Sequence, residues 1–170
     1  AEQPGPLEFE VCTMSFEVVE DPRTAAPAKL QSRVLALREG GNARVKQGRF
    51  LGAVCWYNRG LEALEASKWQ EKVKGGSELD QTFRGIKVAI LTNLALCHLQ
   101  GQPPAPKKAA EACGQALEIE PGNIKALFRK GKALVALGEH AKAEEVLCQA
   151  LKLEPKDAAI RKELAAAKEV

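Results

Sequence analysis

The chain has no unbroken run of about eighteen apolar residues, so nothing in it reads as a membrane span, and it shows no secretory signal. It has little excess of either charge. With 25 Lys and Arg against 22 Asp and Glu, the formal net charge is only +3, which argues against a general nucleic-acid surface. Aromatic residues make up 5% of the chain and lie scattered along it. Cysteines Cys12, Cys55, Cys97, Cys113 and Cys148 include no C-x-x-C pair, and an odd, scattered set reads as reduced thiols in a cytosolic compartment. Most of the helical ones occupy or adjoin packing positions, where cysteine is a small apolar filler. His98 and His140 have no matching ligands nearby and read as a packing and a turn residue. No metal or other cofactor is expected. Nor does the sequence offer a nucleophile–base pair, paired carboxylates or a phosphate loop, and no catalytic residue is assigned.

What the chain does have is a repeat. Ala109, Cys113, Ala116 and Pro121 are each followed one period of ~34 residues later by Ala143, Leu147, Ala150 and Pro155. Ala53, Tyr57 and Gly60 precede the same columns by one constant, longer offset, and Gly41, Ala95 and Gly131 form a further column in the preceding helix. An insertion at Lys68–Lys87 and two extra residues in the turn at Gly101–Lys107 reconcile these offsets with one period. Three helix–turn–helix repeats result, at about Val34–Ser67, Val88–Asn123 and Ile124–Asp157. Small residues in these columns let paired helices approach closely. Because each pair leaves an apolar face open, neighbours must stack to cover it. Pro121 and Pro155 follow helix ends, where a missing N–H costs least, and Gly138 reads as a C-terminal cap. After Pro155, Ile160, Leu164 and Ala167 share one stripe, predicting a capping helix at about 157–169. The expected fold is all-α: a right-handed superhelix of three hairpins and a cap, of the tetratricopeptide type, in a chain long enough for one domain.

The remaining segments read differently. Leu7–Val19 alternates and is rich in Phe and Val, predicting one or two strands. A strand cannot be satisfied inside a helical stack, so this one reads as the trailing edge of a preceding β domain, and the chain as a piece of something longer. Glu20–Lys29, with two prolines and no periodicity, reads as a linker. That places residues 1–28 with the preceding domain and 29–170 with the repeats. The insertion is expected to lengthen the second helix of repeat one and the first helix of repeat two around a Gly75-Gly76 break, with Trp69 packed between them.

In a right-handed stack the first helices of the repeats line a groove. Repeat one offers Arg38 and Asn42, spaced i,i+4 and hence on one face. Repeat two offers Asn93, and repeat three offers Lys125 and Arg129, again i,i+4. Three cations and two amides with no acid among them suit a chain end carrying two close carboxylates, such as a C-terminal aspartate. Each charge-assisted bond contributes roughly 1.5–3 kcal/mol net. The amides orient carboxylates and bond peptide backbone without adding repulsion.

These five residues resemble the carboxylate clamp of tetratricopeptide co-chaperones, which binds the Met-Glu-Glu-Val-Asp C-terminus of Hsp90 and, in some members, the related tail of Hsp70. On that resemblance Lys125 and Arg129 hold side-chain or penultimate carboxylates, and Arg38, Asn42 and Asn93 grip the terminal one. The first clamp cation is usually lysine. A planar guanidinium at Arg38 is not a point charge, and the difference should act on affinity or on preference between chaperones. The run NIKALFRKGKALVALGEHAKA, the insertion and the LEFEV strand also resemble the C-terminal half of the FK506-binding immunophilins, above all the member anchored to mitochondrial and endoplasmic-reticulum membranes. The resemblance implies a prolyl cis-trans isomerase domain in the parent protein. The repeat segment itself lacks the aromatic pocket of such an isomerase and is expected to have no catalytic activity. Its implied location is the cytoplasm, or the cytosolic face of those membranes where the parent is anchored. Alternatives are a scaffold for an apoptosis regulator or for calmodulin, although Arg161, Lys162 and Lys168 with few large apolar anchors make a weak calmodulin target. A third alternative is a fragment that keeps isomerase activity. No nucleic-acid or membrane contact is expected of this segment.

Overall fold

Gly41, Ala95 and Gly131 occupy equivalent places in the first helices of three successive hairpins, and the space beside them is already filled. A Cβ on Gly41 would run into the Tyr57 ring, and one on Gly131 into the Leu147 side chain, while Ala95 is fully buried. The computed structural model, which describes residues 26–168, is built around these close approaches. Helix α1 (Pro27–Lys46) pairs with α2 (Phe50–Ser67), α4 (Glu78–Gln100) with α5 (Pro106–Ile119), and α6 (Ile124–Ala136) with α7 (His140–Leu153). The single-turn α3 (Trp69–Lys72) lies between the first two pairs, and α8 (Ala158–Lys168) closes onto α7 and α6. All the elements among the described residues are helices. None is long and apolar enough to cross a membrane.

The three hairpins stack through α2 on α4 and α5 on α6, and contacts of α1 with α4 and of α4 with α6 bring these first helices side by side. Ala53, Ala109 and Ala143 are fully buried, as are Ala116 and Ala150, so the repeat columns are the surfaces on which helices meet. One apolar cluster fills the first two hairpins and reaches α6 through Ala126 and Ala133. A second joins α6 and α7 to the cap through Ile160 and Ala167, with Leu164 packed at its edge.

Local chemistry sets the helix ends. Pro27 and Pro106 begin their helices where no N–H is needed. Asn123 accepts from the Ala126 N–H at 3.0 Å, and Asp157 accepts from the Ala159 and Ile160 N–H groups at 2.8 and 3.0 Å. Gly138 follows α6 with φ 75°, a left-handed conformation that glycine adopts without strain.

Two expectations are corrected. The linker read to Lys29 stops sooner, because Pro27 opens α1 and Leu30 is already buried in the core. The insertion does not lengthen the second helix of repeat one. That helix ends at Ser67, where Lys68 turns left-handed at φ 48°. Only α4 is lengthened, back to Glu78. The chain reverses because Trp69 buries itself against Phe83, ring centroids 5.3 Å apart. The predicted strand at Leu7–Val19 lies outside the described residues.

Asp80 ties this reversal together. Its carboxylate accepts from the Gly76 N–H and from Arg84 Nε, each at 3.0 Å, although the residue is only 4% exposed. The Gly76 hydrogen bond and then Arg84 hold the carboxyl below its ordinary pKa. Its contribution to stability is therefore full above the ordinary carboxylate range and is lost as pH falls through the lowered value. Asp80→Asn should lower the melting temperature at neutral pH and converge with the parent in acid. Thermal melts of both proteins across that range test this, and a gap unchanged in acid would place the effect elsewhere. Trp69→Ala should cost about 3–5 kcal/mol in urea unfolding, as for other buried aromatics.

Candidate functional site

The candidate residues lie on the three first helices. Arg38 and Asn42 are on α1, Asn93 is on α4, and Lys125 and Arg129 are one turn apart on α6. Four of them gather around one side chain that the sequence reading had treated as packing. Tyr57, on α2, is fully buried, and its hydroxyl donates to Asn42 Oδ1 at 2.7 Å. Asn93 Nδ2 donates to the same oxygen at 2.9 Å. Arg38 and Arg129 are both close enough to act electrostatically on the phenol. Lys125, the fifth candidate, is exposed one turn before Arg129.

Arg129 is half-buried, and its Nη1 donates to the Thr92 carbonyl at 2.6 Å. Thr92 is itself buried and bonded back to its own helix through Val88 O at 2.9 Å. The titratable groups that act on Arg129 are weak acids that stay neutral. Burial pushes the Tyr57 phenol up to about 12, the Cys97 thiol to about 11 and the Cys113 thiol to about 12. The guanidinium pulls each of them down and does not win. Burial also lowers the pKa of Arg129, but a guanidinium remains charged. Among the described residues none of Arg38, Lys125 and Arg129 pairs with a carboxylate, whereas ion pairs form elsewhere, among them Lys68–Glu71, Arg84–Asp80, Lys142–Glu139 and Lys168–Glu144. Arg38 Nε is buried with no acceptor. Such an arrangement holds positive charge and amide donors in place and leaves them without an internal counter-ion.

The sequence reading missed Tyr57 and Thr92. Tyr57 stands in a column filled by Cys113 and Leu147 in the later repeats, and a hydroxyl in an otherwise apolar column was the available signal. Thr92 acts through its backbone carbonyl, which no side-chain pattern reveals.

Comparison with known proteins gives the same architecture. The tetratricopeptide repeat family pattern matches residues 105–167. Residues 105–167 thus match the repeat family, and the chain as a whole has the fold of solved tetratricopeptide-repeat domains. It is 31% identical over 159 residues to peptidyl-prolyl cis-trans isomerase FKBP4 of Mus musculus, an alignment covering 94% of this chain and 33% of that protein. The chain thus spans about a third of the length of this curated relative. Among solved structures, the C-terminal tetratricopeptide-containing domain of a Plasmodium falciparum putative FK506-binding protein superposes with a TM-score of 0.75 at 24% identity, covering 86% of this chain and 93% of that one. The first such domain of Spaghetti (RPAP3), solved with the HSP90 peptide SRMEEVD, superposes at 0.63 with 23% identity over 82% of this chain and 95% of that one. The isomerase activity named in the relative belongs to a protein about three times the length of this chain.

Tyr57 is the chain's sole tyrosine, so its ionisation can be followed alone by ultraviolet difference absorbance. It should titrate near 12 rather than at the ordinary 10.0. Because folding favours the neutral phenol, its contribution to stability should be constant below about 10 and be lost as pH rises toward 12. A phenol titrating at its ordinary value would contradict the sealed position described above.

Proposed function

We propose that this domain recruits a chaperone by seizing the acidic C-terminal tail of Hsp90, or the related tail of Hsp70, through Arg38, Asn42, Asn93, Lys125 and Arg129. The observation that carries this reading is the half-buried Arg129, held by Thr92 and surrounded by neutral acids, with no carboxylate of its own. A buried cation without a partner costs stability, and an arriving carboxylate relieves that cost. Further support comes from a protein of the same fold solved with a peptide ending in EEVD. On this reading the domain belongs to an immunophilin co-chaperone whose parent chain carries a prolyl isomerase domain ahead of the repeats. The parent works in the cytoplasm or at the cytosolic face of a mitochondrial or endoplasmic-reticulum membrane. Capture of a calmodulin-like partner by the terminal helix has less support: Arg161 is engaged with the Pro155 carbonyl at 3.1 Å and Lys168 with Glu144 at 3.2 Å.

Calorimetric titration with a Met-Glu-Glu-Val-Asp peptide should give micromolar-class binding, about −7 to −8 kcal/mol, weakened by added salt. Arg129→Ala and Lys125→Ala should each lower affinity by about tenfold or more, the loss of one charge-assisted bond, with helicity retained. Unchanged affinity in both variants would refute the proposed clamp, and indifference to amidation of the peptide would refute recognition of a free chain end.

A further inference from the structure

Asn42 has an amide that two donors address at one atom. The Tyr57 hydroxyl and Asn93 Nδ2 both point at its Oδ1, at 2.7 and 2.9 Å. An oxygen so occupied favours one orientation of the whole planar group, because a half-turn about the terminal torsion would set its NH₂ against the Asn93 NH₂ and would give up the proton donated by Tyr57. Asn42 Nδ2 must then point away from both. It has no partner among the described residues and is not sealed from solvent, so it is free to donate to a ligand.

The Tyr57 hydroxyl reaches Asn42 because of Gly41. The ring lies where a Cβ on that glycine would be, which brings α2 against α1 one residue before Asn42. The other repeats fill the Tyr57 column with Cys113 and Leu147, both fully buried, so packing in this fold does not require a hydroxyl at that place. The hydroxyl is buried, bonded to a half-exposed amide, and dispensable for packing.

We infer that Tyr57 is a positioning residue, a buried donor that locks the Asn42 amide with its N–H groups toward the groove and so confers preference for a free terminal carboxylate over a blocked one. This inference rests on the binding reading proposed above. Asn42 touches the ligand and Tyr57 acts through it.

Tyr57→Phe keeps the ring against Gly41 and removes only the hydroxyl. With Met-Glu-Glu-Val-Asp peptides in free-acid and C-terminally amidated forms, the variant should lose about three- to tenfold in affinity for the free acid, the scale of one lost hydrogen bond. Affinity for the amide should stay level, so the ratio between the two peptides narrows. In an Asn42→Ala background the same substitution should have a much smaller effect, since the group it positions is gone and only the contact of the phenol with Asn93 remains. Equal loss for both peptides, or an undiminished effect without Asn42, would make Tyr57 merely structural and overturn the inference. If the parent protein fails to distinguish the two peptides, the binding reading fails first. The positioning claim is then still decided by nuclear magnetic resonance of the free protein, where the Asn42 side-chain amide should give one sharp pair of signals that moves in Tyr57→Phe. The same measurement decides the matter on the parent protein alone should the variant not fold: an Asn42 amide averaged over orientations overturns the inference.

Discussion

Where α1 crosses α2, the Tyr57 ring takes the volume that a side chain on Gly41 would need, and where α6 crosses α7, Leu147 does the same at Gly131. The first and third hairpins depend on such contacts, and the middle one has the small, fully buried Ala95 at the same place. A hairpin whose helices stood farther apart would leave voids around the alanines between them, and interiors at native density tolerate few voids. The stack inherits this spacing, because each hairpin presents its second helix to the first helix of the next. The groove side therefore has its geometry dictated by packing on the opposite side of each first helix.

Tyr57 links the two requirements. Its ring satisfies the packing constraint and its hydroxyl enters the polar layer above, where Asn42 and Asn93 share one oxygen. The electrostatics of that layer run against stability. Arg129 sits half-buried over phenol and thiols that burial keeps neutral, and cations on α1 and α6 share the region without an acid between them. Two large apolar clusters, one filling the first two hairpins and one joining α6 and α7 to the cap, offset this cost.

The insertion shows a different solution to a local problem. The residues Lys68–Lys87, without a place in the repeat, could have hung free or extended two helices. Instead Lys68 turns the chain, Trp69 anchors the turn on Phe83, and Asp80 satisfies the Gly76 N–H and Arg84 from a buried position. Periodicity could not reveal this, because the reversal is driven by one aromatic contact and one buried carboxylate rather than by a pattern. The same blindness misplaced the first helix boundary, where Pro27 resembled a linker residue but served as the first residue of α1.

The spacing of small and apolar residues was enough to determine three hairpins, their order and a capping helix, since a helix pair with an open apolar face has few ways to cover it. It also assigned Arg38, Asn42, Asn93, Lys125 and Arg129 to the first helices, because their columns follow from the same period. Which polar atoms bond to which was settled only by the packed structure. The partners of Asn42 lie 15 and 51 residues away along the chain, and Arg129 is held by a backbone carbonyl 37 residues away. Contacts across such separations depend on how closely and at what angle the helices cross, and a difference of an ångström there separates a hydrogen bond from none.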